Sequence, residues 1–111
     1  MITITNREAV QEPDSITALF TGADHQADVS FFWVDAPPGE GQEYHWHPYA
    51  ETWVVLHGEA QIDTQNEQQR AYPGDIVTVS ARMIHRYIAG GDENLQMICI
   101  HPSPRVIEEF V

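Results

Sequence analysis

No stretch of this sequence sustains an apolar repeat of 3.6 residues. Runs of four to seven residues, rich in β-branched and aromatic side chains, are instead cut at close intervals by Pro, Gly, Asn and Asp. The strand-like runs fall at 2–5, 16–21, 29–35, 42–47, 52–56, 60–65, 69–72, 76–79, 85–89 and 95–101. Between them stand the turn signals Pro37-Pro38-Gly39, Pro48, His57-Gly58, Pro73-Gly74-Asp75 and Gly90-Gly91-Asp92. Pro and Gly keep to the ends of the runs, where they interrupt no ladder. That pattern predicts an all-β sandwich or barrel. The tail, 104–111, reads either as a short helix or as an extra edge strand.

At 111 residues the chain fits one domain, 1–111, with no room for a second core. The single cysteine, Cys99, excludes an intramolecular disulfide and suits a reducing compartment. The N-terminus carries no basic segment followed by an apolar run, and the longest apolar stretches are far too short to span a bilayer. A cytoplasmic location and no membrane partner are the expectation. Seventeen acids against five arginines and no lysine leave a formal net charge of −12. A phosphate backbone would be repelled by such a chain, so nucleic acid is not an expected partner.

The informative stretch runs from Gly39 to Glu51. His45 and His47 are two residues apart, so on a strand both imidazoles point to one face. Glu51 follows after Pro48 and can return a carboxylate to the same pocket from the next strand. His85 opens a later strand after the Pro73-Gly74-Asp75 turn. Three imidazoles and a carboxylate suit one divalent transition metal (Fe, Mn, Ni, Cu, Co or Zn) and are too nitrogen-rich for Ca or Mg.

The series Gly39-x5-His45-x-His47-x3-Glu51-x6-Gly58 resembles the first cupin motif at every position. By chance it would arise in roughly one chain in 10⁵ at background residue frequencies. The second cupin motif is matched in part. Gly74 and His85 are in register, while Ser80, Arg82 and Ala89 replace its proline, glycine and asparagine. The resemblance implies a single-domain cupin (a double-stranded β-helix, or jelly roll) with its conserved barrel over about 29–103 and a metal at one end. The departures in the second motif affect a turn more than the ligand set.

Within that family a three-His, one-Glu site resembles that of quercetinase-like dioxygenases, and the same ligands serve isomerases, decarboxylases and lyases. The expected function is therefore a metal-dependent enzyme acting on a small oxygen-bearing or aromatic molecule. The alternative is a non-catalytic small-molecule or sugar-binding cupin whose metal is structural or absent. Glu51 is also a candidate base. By strand parity Trp53 and Val55 share the face of Glu51, and Tyr87 that of His85; these are core or substrate-pocket residues. His57 reads as an exposed turn residue that joins the pocket only if its strand stays regular. His101 reads as a strand end, Cys99 as an inert buried residue and His25 as exposed in a loop. Both faces of the run around Phe31-Phe32-Trp33-Val34 are apolar, which predicts a homodimer.

Overall fold

Alternation along each run decides which way its strand faces. In the computed structural model, which describes residues 1–111, Leu95, Met97, Cys99 and His101 are buried and the residues between them are half-buried. The same alternation buries Glu51, Trp53 and Val55, and later His85, Tyr87 and Ala89. Ten strands result: β1 (Ala18–Phe20), β2 (Ser30–Ala36), β3 (His45–Trp46), β4 (Glu51–His57), β5 (Glu59–Thr64), β6 (Gln68–Ala71), β7 (Ile76–Val79), β8 (His85–Gly90), β9 (Leu95–His101) and β10 (Glu109–Phe110).

They form two five-stranded sheets, ordered β1-β2-β9-β4-β7 and β10-β3-β8-β5-β6, and all pairings are antiparallel. The sheets pack inner face to inner face as a double-stranded β-helix. The first sheet supplies the bulk of the core, with Trp53, Val55, Leu95 and Met97. The second supplies Tyr87 together with Ala60, Ala71 and Ala89, whose small side chains leave room for that bulk. No helix is long and apolar enough to cross a membrane.

The structure trims and corrects the strand assignments. Residues 2–5 alternate apolar and polar but form no strand, because no sheet edge takes up their backbone; Ile2 and Ile4 stay about nine-tenths exposed (90% and 92%). The tail resolves to an edge strand, with Glu109 opposite Trp46 and Phe110 opposite His45. Ahead of β3 the chain runs so close to β8 that a Cβ on Gly41 would lie 2.1 Å from the Tyr87 carbonyl oxygen, so only glycine fits there. His25 is half-buried in a 3₁₀ turn, stacked 4.3 Å from Phe20.

Both faces of β2 find cover. Val34 lies in the core and Phe32 packs against it. On the outer face Phe31 stacks on Phe20 at 4.9 Å, and the Arg7 guanidinium sits 5.3 Å above the Trp33 ring. Part of the apolar outer face is thus covered by the chain's own N-terminal segment.

Candidate metal centre

Three elements bring the donors together. β3 ends beside β8, with His45 directly opposite His85. His47 continues the β3 face, and the Pro48 turn returns the chain so that Glu51 opens β4 from the facing sheet. One donor atom from each of His45, His47, Glu51 and His85 lies within 4.8 Å of the others, and all four side chains are buried.

Each of these imidazoles donates its Nδ1 proton to a backbone carbonyl at 2.8 Å: His45 to Glu43, His47 to Ile107 and His85 to Met83. A carbonyl can only accept, so Nδ1 carries the proton and Nε2 presents its lone pair to the common centre. Outer hydrogen bonds of this kind orient histidine ligands at metal sites. His47 Nε2 is buried without an aligned hydrogen-bond partner, as a ring nitrogen facing a metal would be. Glu51 Oε1 stands 3.2 Å from both His47 Nε2 and His85 Nε2. Donors bound to one ion at about 2.1 Å stand roughly 3 Å from their neighbours, close to the two 3.2 Å contacts of Glu51 Oε1.

The electrostatics act on the donors in different directions. Burial alone would raise the Glu51 pKa, but the His101, His47 and His85 side chains around the carboxylate outweigh it and hold Glu51 far below the usual carboxylate range. Burial pulls the His45 pKa down, which keeps that ring neutral. His47 also loses solvent, yet its contact with Glu51 and its bond to Ile107 leave its pKa raised.

The sequence reading did not place His101 in the site. Its ring is fully buried, and its Nε2 lies 3.1 Å from Glu51 Oε2. Tyr49 Oη is 2.6 Å from its Nδ1. The β9 alternation puts residue 101 on the inner face, but only the pairing of β9 with β4, Ile100 opposite Thr52, sets it beside Glu51. Sheet neighbours of that kind cannot be read from one chain's periodicity.

The other residues singled out divide clearly. Trp53 is wholly buried, with its ring 5.9 Å from that of His85 and 5.6 Å from that of Tyr87. Its indole N–H is buried without a partner. Val55 lies in the core on the same face. Burial pushes the Tyr87 hydroxyl and the Cys99 thiol well up, so both stay protonated. A bulge between Val55 and His57 turns His57 outward to solvent, 3.7 Å from Glu93. A cleft of about 410 Å³ opens between β6 and β7, the end strands of the two sheets, and reaches His85 past Val77, Val79 and Met83. A larger cleft of about 740 Å³, lined by Phe32, Gln42 and Tyr87, touches none of the four donors.

The Cupin_2 family, described as a cupin domain, matches residues 32–101, and the chain belongs to this family. No curated protein matches the chain. Among solved structures, a mutant of oxalate decarboxylase from Bacillus subtilis shares 20% identity at a TM-score of 0.76, covering 86% of this chain. The chain spans only 27% of that protein's length. A cupin superfamily protein from Desulfitobacterium hafniense DCB-2 shares 22% identity at a TM-score of 0.63, over 68% of each chain. A cupin-2 domain protein from Shewanella frigidimarina NCIMB 400 shares 21% identity at a TM-score of 0.60, over 68% of this chain and 71% of that one. At these identities the likeness is one of fold.

Proposed function

We propose that this chain acts as a single cupin domain, 1–111, and is a metal-dependent enzyme for a small oxygen-bearing or aromatic molecule, with a quercetinase-like dioxygenase as the leading subclass. The observation that carries the reading is the set of three Nε2 lone pairs and one carboxylate oxygen converging on a buried point. His45, His47, Glu51 and His85 would hold the ion. When bound, the metal supplies a positive centre that polarises a coordinated oxygen atom.

The chain's own groups then define the rest. The β6–β7 cleft leads to His85 and gives a small molecule a route in. Trp53 packs 5.9 Å from the ligand imidazole of His85, and Tyr87, which lines the larger cleft, packs edge-on against Trp53. The Trp53 indole N–H is buried without a partner, and leaving it unpaired costs about 1–3 kcal/mol. Glu51 is held ionised and so can accept a proton, but its low pKa makes it a weak base and favours its role as a ligand.

The oxalate decarboxylase of similar fold from Bacillus subtilis has Mn(II) centers. The buried polar and charged residues here are Ser30, His45, His47, Glu51, Asp63, His85 and His101, with no arginine or lysine among them. A small dicarboxylate would find no buried arginine or lysine to balance its second charge, and Arg70, which lines the β6–β7 cleft, is already paired with Glu59 at 2.7 Å. That favours a neutral or singly ionised substrate, such as an enolised diketone or a flavonol.

Protein loaded in turn with Fe, Mn, Ni, Cu or Co and offered flavonols, diketones and oxalate provides the test. Oxygen uptake with a flavonol or diketone is the expected result. Oxalate turnover alone would overturn the substrate reading, and no turnover with any metal would favour a binding or structural role. Two further parts of the reading concern context. The outer face of the first sheet, where Val54, Ile76 and Ile98 are register neighbours, pairs with a second copy as a homodimer. The location is the cytoplasm, where the unpaired Cys99 stays reduced.

A further inference from the structure

Glu51 has two oxygens in different surroundings. Oε1 faces the ligand imidazoles, at 3.2 Å from His47 Nε2 and from His85 Nε2. Oε2 lies 3.1 Å from the Nε2 of His101, whose ring packs edge-on against that of His47 at 4.7 Å. His101 is not one of the four converging side chains. The two atoms are close enough for an ion-pair contact but do not form an aligned hydrogen bond, and the ring nitrogen has no hydrogen-bond partner. An ionised carboxylate accepts only, so His101 meets it with Nε2 protonated and Nδ1 bare.

Tyr49 fits that tautomer. Its hydroxyl oxygen accepts the Ile107 N–H at 3.0 Å, which leaves its own proton free for His101 Nδ1 at 2.6 Å. The Ile107 carbonyl in turn accepts the His47 Nδ1 proton. One tail residue therefore anchors both a ligand imidazole and the phenol behind Glu51. The hydrogen bonds from Ile107 through Tyr49 to His101 run in one consistent direction and end on the 3.1 Å contact of His101 Nε2 with Glu51 Oε2.

We propose that His101 is a positioning residue that holds Glu51 Oε2 so that Oε1 alone is offered to the metal, and that Tyr49 fixes the His101 tautomer required for this. The proposal rests on the metal reading given above. Removing His101 frees Oε2 to swing toward the ion and lets the carboxylate bind through both oxygens. Outer groups of this kind typically change metal affinity by roughly 10–100-fold.

The test titrates Co(II) into the full chain and follows both affinity and the visible Co(II) absorption. Four proteins are compared: wild type, His101→Leu, His101→Gln and Tyr49→Phe. His101→Leu is expected to bind roughly 10–100-fold more weakly with a shifted spectrum. His101→Gln, which keeps an N–H near the position of Nε2, is expected to restore the wild-type spectrum even if His101→Leu folds poorly. Tyr49→Phe is expected to fall between the two. Electron spin-echo measurements on Cu(II)-loaded protein are expected to count three imidazoles in wild type and in His101→Gln alike. Wild-type affinity and spectrum in His101→Leu would overturn the positioning role while leaving the metal reading intact. A count of four imidazoles that drops to three in His101→Gln would overturn it by making His101 a ligand. A wild-type chain that binds no Co(II) would overturn both.

Discussion

His47 and Glu51 illustrate how the same contact acts differently on two groups and gives the site a pH signature. Glu51 has its pKa depressed by His101, His47 and His85, so in the metal-free protein its contribution to stability is present above its ordinary value of 4.5 and fades as pH falls through the depressed value. His47 has a raised pKa, so its contribution is complete below its ordinary value of 6.5 and is lost as pH rises through the raised one. The two conditions overlap between about pH 4.5 and 6.5. His45, whose pKa burial lowers, costs stability as pH falls below 6.5, so thermal melts of metal-free protein should peak toward the upper end of that window and decline above it. Metal binding should run the other way and strengthen toward pH 8, because bound imidazoles must be neutral. Melting temperatures that keep rising from pH 6 to 8 without metal would contradict the assignment. At this scale His45, His47, Glu51 and His85 were legible because spacing and turn residues mark them in sequence. His101 was not, because its role depends on the β4–β9 pairing.

The turn before β8 shows where an element departs from its family's pattern and at what cost. Arg82 occupies the position of the second motif's glycine and adopts φ +67°, in the left-handed region. Its backbone N–H donates to the His47 carbonyl at 2.7 Å, so the strained turn braces the ligand loop. A side chain there costs roughly 1–2 kcal/mol, partly offset by the flexibility glycine adds to the unfolded chain. Arg82→Gly should leave the melting temperature unchanged or raise it by a few degrees. A fall of several degrees would show that the arginine side chain itself stabilises the turn. Gly58 gives the opposite case, since its φ is +78° and an added Cβ would lie 2.4 Å from the Asn94 carbonyl oxygen. Gly58→Ala should cost upward of about 1 kcal/mol in denaturant melts. Strand positions were largely legible, because alternation and turn residues agree from β4 to β9. Two elements were not: 2–5 has a strand's pattern with no edge to join, and 109–110 is an edge strand only because β3 offers one.

Across the whole molecule, an acidic surface and one apolar sheet face define how the chain meets others. Val54 lies opposite Ile76 on one side and Ile98 on the other, and Ile76 is 71% exposed. A strip of that kind on an outer sheet face is what a second copy would cover. Ile76→Glu places a charge in it and should shift the sedimenting species from dimer to monomer. Wild-type protein that sediments as a monomer at high concentration would remove the dimer from the account. The barrel was legible as a class, since short strands and regular turns allow little else. The partial cover of Phe31 and Trp33 by the chain's own N-terminal segment was not, because nothing local ties residues 7–20 to that face.

The buried metal site remains the claim on which the rest depends, and metal content per chain tests it most directly. Wild-type protein dialysed against Mn(II) or Co(II) at pH 7.5 and submitted to elemental analysis should hold one ion per chain. His47→Ala should hold only a small fraction of that while remaining folded. Wild type without bound metal, or a His47→Ala protein that keeps its full complement, would contradict the account.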